Sequence, residues 1–442
     1  TRVRSSAASD VYKRQSFALA ASPFYIQFVQ SAAAPATNSS SCVRYDPSTT
    51  TITISCSSAS LTTVYNAIHN NNVLSKQSTN GIWLLNAKII VAKASTFHLD
   101  STDTKWLKIS SDGIGNVNST PNSIDIHGTL KIDSVKITSW NPATNYYAIT
   151  NGSRQAVPPG TKGATANGYI IHLGMPRPFI TVERDATGTT DITNSEIAYL
   201  GYEGGSTAEV GAGGINYYGG DGSIIAGDNI HDLYFGVYLR GVGHIIIENN
   251  KSYHNFNYGL DPHTGTHDTI IRNNIVHDNG GQGIICSLNC YNILIENNQV
   301  YHNEKAGIMF SRNMSNSVAR NNLIHNEVDG ISVSQSSNNK IYNNTISSSQ
   351  YGINLVAGSS SNSFYSNIIK DSLNCPIYYS QDSNLVNNKN NNGNNVFYNN
   401  QFINSTHLTT CSHNIPGNTA STAKSANDQA GTLREVGPKT SS

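Results

Sequence analysis

The sequence predicts an all-β chain wound as a right-handed parallel β-helix, on three observations: a repeat in the low twenties, β-branched segments at fixed places in it, and few helix formers. Glycines followed by an apolar residue fall at Gly214, Gly236, Gly259, Gly283, Gly307, Gly330 and Gly352, with gaps of 22, 23, 24, 24, 23 and 22. Asn pairs run in step, at 249–250, 273–274, 297–298, 321–322 and 343–344. Two residue types holding one period mark a stack of similar units, each able to bury its apolar face only against its neighbours. A leucine-rich repeat has a comparable period, but it needs Leu at fixed alternating places, and Leu is sparse here. Segments such as IIIENNKSYHN and TIIRNNIVHDN instead give each repeat two or three short strands. Each coil then adds about 4.8 Å to the stack.

Alternation along the strand after each glycine sets the register. Val237, Leu260, Ile284, Ile308, Ile331 and Ile353 form one inward column; Leu239, Pro262, Cys286, Phe310, Val333 and Leu355 form a second. The residues between them face outward: Tyr238, Asp261, Ile285, Met309, Ser332 and Asn354 in one column. The neighbouring outward column is Arg240, His263, Ser287, Ser311, Ser334 and Val356. The Asn pairs read as structural, because Asn tolerates left-handed turns and stacked Asn side chains bond to one another.

Domain organisation follows from the extent of this pattern. Residues 1–35 stand outside the fold: the first fifteen resemble translated adapter sequence, and Ser16 to Val29 is a signal-like apolar run ending near Ala32-Ala33-Ala34. Residues 36–80 form an N-terminal cap, with a short helix behind Ser60 that places Leu61, Val64, Tyr65 and Ile68 on one face. Such a cap covers the open edge of the stack. Residues 81–380 are the parallel β-helix, and 381–442 are expected to be Asn-rich loops followed by a disordered tail.

Charge and cysteine content narrow the function. With 28 basic and 28 acidic residues in 442, no global field favours nucleic acid or an anionic membrane. No stretch of the mature chain is long and apolar enough to span a bilayer. The six cysteines fit no zinc spacing. Cys42 with Cys56, Cys286 with Cys290, and Cys375 with Cys411 are candidate disulfides of an exported chain, with free buried thiols as the alternative. The expected location is therefore outside the cytoplasm: secreted, periplasmic or at the cell surface.

One segment breaks the monotony of the repeat. Tyr258-Gly-Leu-Asp-Pro-His-Thr-Gly-Thr-His267 puts a phenol, a carboxyl and two imidazoles on one coil, and sets Pro262 where a ladder N–H is lost. Departures from local rules cluster at functional sites. The plain alternative is that Asp261 caps a turn and His263 stacks on a neighbour. Arg240, Lys305 and Arg312 are the candidate cations nearby, each otherwise an ordinary solvated charge. Arg240 is the strongest, being one coil before His263 in the same column.

At this segment the chain resembles the mannuronan (alginate) C5-epimerases, whose YG-x-DPH motif is matched by Tyr258, Gly259, Asp261, Pro262 and His263. Their periplasmic branch has a second His, matched by His267, and the segments GIICS, GIMFSRN and DGISVSQSSNN are also similar to it. The resemblance spans roughly residues 80–360. It implies conversion of β-D-mannuronate to α-L-guluronate within an anionic polysaccharide, by a monomer with no organic cofactor. Tyr258 and His263 would be the acid–base pair, the motif not fixing which is which. Asp261 would orient His263 or bond the substrate carboxylate, and His267 would be a second base or a support. Arg240, Tyr238, Ser287, Lys305, Ser311 and Arg312 would line the substrate groove. The chain departs from the family in its cations: Lys305-Ala306 stands where the calcium-dependent branch has Arg-His, and Leu288 where the periplasmic branch has Arg. No metal site is expected; the calcium-binding repeats of the secreted branch are missing, and Gly219-Gly-Asp-Gly222 is a single look-alike. Two other outcomes stay open: a uronate lyase using the same proton abstraction, and a non-catalytic carbohydrate-binding β-helix.

Overall fold

Three long sheets run the length of the molecule and close around one apolar interior. The structure, a computed structural model, describes residues 41–111, 121–149, 153–156, 169–172, 176–202, 213–356, 358–380, 394–405 and 419–421. Each coil contributes one strand to each sheet. Phe235–Arg240, Ile246–Glu248 and Lys251–Tyr253 form one coil; Leu260–His263, Ile270–Arg272 and Ile275–His277 form the next. Successive coils pair in parallel in all three sheets. This is the parallel β-helix expected from the repeat.

The register is also as expected. Val237 pairs with Leu260, which pairs with Ile284, then Ile308, Ile331 and Ile353, and all are fully buried. Removing such a stack of β-branched side chains from water at roughly 25 cal/mol per Å² is what drives the coils together. Glycine recurs before this strand because the wall is close: a Cβ on Gly307 would come 2.7 Å from Ile324 Cγ2 and 2.9 Å from the Gly330 carbonyl oxygen.

The Asn pairs divide into two jobs. The first member takes a left-handed corner, with φ of 58° at Asn249, 56° at Asn273 and 56° at Asn297. The second is buried and builds a ladder that Asn367, after Ser366, continues: Asn250, Asn274, Asn298, Asn322, Asn344 and Asn367 each donate Nδ2–H to the Oδ1 of the next, at 2.9–3.0 Å. The same Nδ2 also donates to a carbonyl of the preceding coil, as from Asn298 to Ile271 at 3.0 Å. Backbone groups that a corner would leave orphaned are thereby satisfied.

The cap helix is Leu61–Ile68, started by a capping box between Ser60 and Thr63 and ended by left-handed His69. Leu61 and Val64 are buried, and Tyr65 meets Trp83 edge-on at 5.6 Å. No helix among the described residues is long and apolar enough to cross a membrane. Three expectations change. The 381–442 stretch is not all loop, since Val396–Tyr398 and Gln401–Ile403 add a further coil, with Phe397 stacked on Phe364 at 4.5 Å and Asn400 extending the ladder. Cys286 and Cys290 are free buried thiols, not a disulfide. Cys286 points into the core from its strand, whereas the Cys290 S–H is directed to the Ser287 carbonyl at 3.1 Å. Asp261 lies in the outward register but is only 1% exposed. Cys42–Cys56 is bridged, with Cα atoms 4.9 Å apart, and Cys375 is disulfide-bonded, while Cys411 lies outside the described residues. The signal-like segment within residues 1–35 also lies outside them.

Candidate functional site

The site is built on the strand Leu260–His263, between Phe235–Arg240 on one side and Ile284–Ser287 on the other. Tyr238 stands opposite Asp261 and Arg240 opposite His263. On the other side His263 stands opposite Ser287, which stands opposite Ser311. Pro262 offers no N–H, and this strand registers with the next only at Leu260–Ile284 and His263–Ser287.

His263 is half-buried, its ring 5.6 Å from that of Tyr238. Its Nδ1 lies 2.6 Å from the Thr264 hydroxyl and its Nε2 lies 3.4 Å from Arg312 Nη2. A guanidinium only donates, so Nε2 is the accepting nitrogen and Nδ1–H donates to Thr264. Burial first, then the positive charges of Arg312 and Arg240, lower the His263 pKa to about 4. The imidazole is therefore neutral at physiological pH, with a lone pair on Nε2.

Arg312 reaches His263 from two coils away. It occupies the left-handed corner after Ala306–Ser311, with φ 51°, where the preceding coils have Leu288 at 60° and Thr264 at 38°. That corner is a device of the whole fold, and it turns the Arg312 side chain back along the groove. Its Nε and Nη2 both donate to the buried Ser287 Oγ, at 2.9 and 2.6 Å. Ser287 thus anchors the guanidinium, and Arg240 supplies a second positive charge on the other side of His263.

Asp261 is a different kind of group. Burial raises its pKa well above the carboxylate range, Arg312 only partly opposing, and its Oδ1 accepts no hydrogen bond. An acid with an unused oxygen beside a guanidinium can bond a carboxylate. Tyr238, 2% exposed, packs with Tyr234 and Phe235 in an apolar patch separate from the main core. Tyr258, half-buried at the other end of the strand, joins that patch, 5.3 Å from Phe235, and its ring covers Gly281.

Two candidates fall elsewhere. His267 belongs to the next bend, packed over Gly243, stacked on Tyr291 at 5.1 Å and bonded through Nδ1 to Asp268 at 2.8 Å. Lys305 is exposed, and among the described residues no hydrogen bond or ion pair joins its side chain to His263 or Arg312. Ser311 is 5% exposed on the strand beyond Ser287. Sequence reasoning missed Thr264, although its hydroxyl immediately after His263 was a signal for the tautomer. It also missed a pocket of about 310 Å³ upstream on the same face, lined by Asp125, Thr181, Glu183, Tyr218 and Arg240 among others. Asp125, Thr181 and Glu183 lie before Gly214, the first glycine of the regular repeat, where no period exposes them.

Fold and site together define a parallel β-helix carrying a cation-flanked imidazole beside a buried carboxylic acid. The family model described as periplasmic copper-binding protein (NosD) matches residues 186–390 and, overlapping, 285–429, more than half of the sequence. The chain belongs to this family. Among solved structures it is similar to the periplasmic alginate epimerase AlgG, with 19% identity, a TM-score of 0.66 and 85% of each chain covered. A mutant of the same epimerase gives 21% identity and a TM-score of 0.65 over 80% of each chain. No curated protein matches the sequence. At this identity the likeness speaks for the fold.

Proposed function

We propose that the chain modifies an anionic polysaccharide, converting β-D-mannuronate to α-L-guluronate within an alginate-like polymer by epimerisation at C5. The observation that carries this reading is the half-buried His263 between Arg240, its strand partner, and Arg312, whose Nη2 lies 3.4 Å from Nε2. A proton next to a carboxylate is removed only if the charge that develops on that carboxylate is neutralised. Arg312 takes the carboxylate, and Asp261, protonated, donates a hydrogen bond to it. His263 Nε2 accepts the C5 proton, and the electron pair of that C–H bond moves into the carboxylate. A proton from the Tyr258 hydroxyl then forms the new C5–H bond on the opposite face. Imidazolium and phenolate return to their starting forms by exchange with water. Tyr258 precedes the strand that ends in His263, and the two are linked by a row of rings: Tyr258 to Phe235 at 5.3 Å, Phe235 to Tyr238 at 5.9 Å and Tyr238 to His263 at 5.6 Å.

The sharing of a fold with a periplasmic alginate epimerase supports the substrate class. The Cys42–Cys56 disulfide supports an oxidising compartment, the periplasm or the exterior. The family description names copper, and the described residues do not fit a copper centre. No three of their His, Cys, Asp or Glu side chains gather as a metal would need. Burial also keeps both free thiols protonated, Cys286 well above the usual range and Cys290 at about 12. No step is therefore routed through copper.

The test is incubation with polymannuronate, following guluronate signals by NMR and the absorbance of unsaturated uronates. Guluronate should appear without chain shortening, and His263→Ala should abolish it. Rising absorbance would instead make the chain a lyase, and undiminished conversion by His263→Ala would remove the proposed base.

A further inference from the structure

The pocket upstream of His263 shares only Arg240 with the reaction proposed above. Its floor is polar and buried: Asp125 is 8% and Thr181 5% exposed. Asp125 Oδ2 pairs with Lys88, but its Oδ1 is buried and accepts no hydrogen bond. Glu183, half-buried beside it, makes no side-chain hydrogen bond or ion pair among the described residues. Phe179 and Tyr218 give the walls, and the cations Arg184 and Arg240 also line it, Arg184 exposed. Aromatic walls around a few convergent, unsatisfied polar atoms are the make-up of a small-molecule subsite. Buried acceptors without donors call for a ligand rich in O–H groups.

Register fixes where this pocket lies relative to the imidazole. Tyr218 follows Tyr217, which pairs with Leu239, and the Tyr218 N–H bonds to the Val182 carbonyl just before Glu183. Glu183, Tyr218, Arg240 and His263 therefore stand in one outward column, three strand spacings or about 14 Å from end to end. Arg240 is common to both ends, lining the pocket and acting on His263.

We infer that this pocket is a sugar subsite that holds a more distant unit of the same polymer by its hydroxyls, through Glu183 and Asp125 on the floor. The inference rests on the reading that the His263 face takes a uronate chain. Two carboxyl groups repel a carboxylate from the floor, so the bound unit points its hydroxyls down and its own carboxylate up to Arg184 and Arg240. A chain long enough to reach from His263 to the pocket then binds more tightly than a short one, and the pocket fixes its direction along the groove.

The test is calorimetric titration of the full chain with trimannuronate, too short to occupy both places, and with hexamannuronate. In the wild type the hexamer should bind at least about tenfold more tightly than the trimer, the size of one or two charge-assisted hydrogen bonds. Glu183→Ala should bring the two affinities to within about twofold while leaving the trimer unchanged, and Glu183→Gln, which keeps an acceptor, should retain most of the gain. A melting curve matching the wild type shows that the variants fold. The subsite is overturned if Glu183→Ala leaves the hexamer-to-trimer ratio intact, or if the wild type binds both equally. If neither oligomer binds the wild type, the uronate reading itself fails, and the subsite with it.

Discussion

Arg312 Nη2 lies 3.4 Å from His263 Nε2, although Arg312 follows a strand separated from that of His263 by a whole coil. The intervening coil supplies Ser287, whose hydroxyl oxygen accepts both Nε–H and Nη2–H from the same guanidinium. Positive charge is thus fixed against the imidazole by a buried anchor, so that little reorganisation is needed when a carboxylate arrives.

Removing that charge should be felt by the imidazole before anything else. Arg312→Ala should raise the His263 pKa from about 4, but not fully to 6.5, because burial is the larger cause and remains. Turnover should fall by about 10²–10³-fold, the usual loss when one charge-stabilising donor is deleted. Titration of the His263 ring by NMR and initial rates on polymannuronate check both halves. An unmoved pKa would show that the contact has no electrostatic consequence.

The same shift makes a prediction about pH. Only neutral His263 is a base, so the acid limb of kcat should fall near pH 4 in the wild type and move upward in Arg312→Ala. Stability has a matching sign. Between about 4 and 6.5 the unfolded chain binds a proton at His263 that the native state does not. Stability contributed by this group is therefore complete above pH 6.5 and is lost as pH falls towards 4. Denaturant unfolding of His263→Gln across that window should show a shallower slope than the wild type.

Asp261 should behave in the opposite sense. Its native pKa is raised from 3.8, so stability falls as pH rises above 3.8 and the unfolded chain releases a proton that the native chain keeps. Asp261→Asn should be more stable than the wild type at pH 8 and gain less at pH 5, measured by denaturation midpoints. It should also keep a hydrogen bond to the substrate carboxylate, so that activity falls less than in Asp261→Ala.

The Asn pairs offer a stability contrast within one dipeptide. Asn298→Ala strips a donor from the Ile271 carbonyl and from Asn322 Oδ1, and an acceptor from the Asn274 backbone and side-chain N–H groups. Each buried group left unpaired costs roughly 1–3 kcal/mol. Asn297→Gly, at an exposed corner with φ 56°, should be close to neutral because glycine takes that conformation without strain. Equal losses at the two positions would refute the division of labour.

Much of the architecture was legible because period and alternation are one-dimensional signals. Gly259 and its counterparts gave the coil length, and the alternation of Leu260, Asp261, Pro262 and His263 gave the face on which the site stands. The second member of each Asn pair was recognisable as structural, though not that the first takes the corner and only the second enters the ladder. Phe397 and Phe402 were lost among Asn-rich neighbours, and the last coil with them.

What the sequence determined by itself was therefore the stacking: which residues share a column and which column faces the core. What only the tertiary structure decided was the state of the groups within a column. The residue string does not reveal that Asp261 is buried, that Cys286 and Cys290 stay free thiols, or that His267 turns to Asp268. Nor does it show that Arg312 rather than Lys305 meets the imidazole. The physical reason is that burial and charge act through space. The pKa of His263 is set by burial and by Arg312 and Arg240, one 49 positions downstream and the other in the coil before, and these come together only when the coils close on one another.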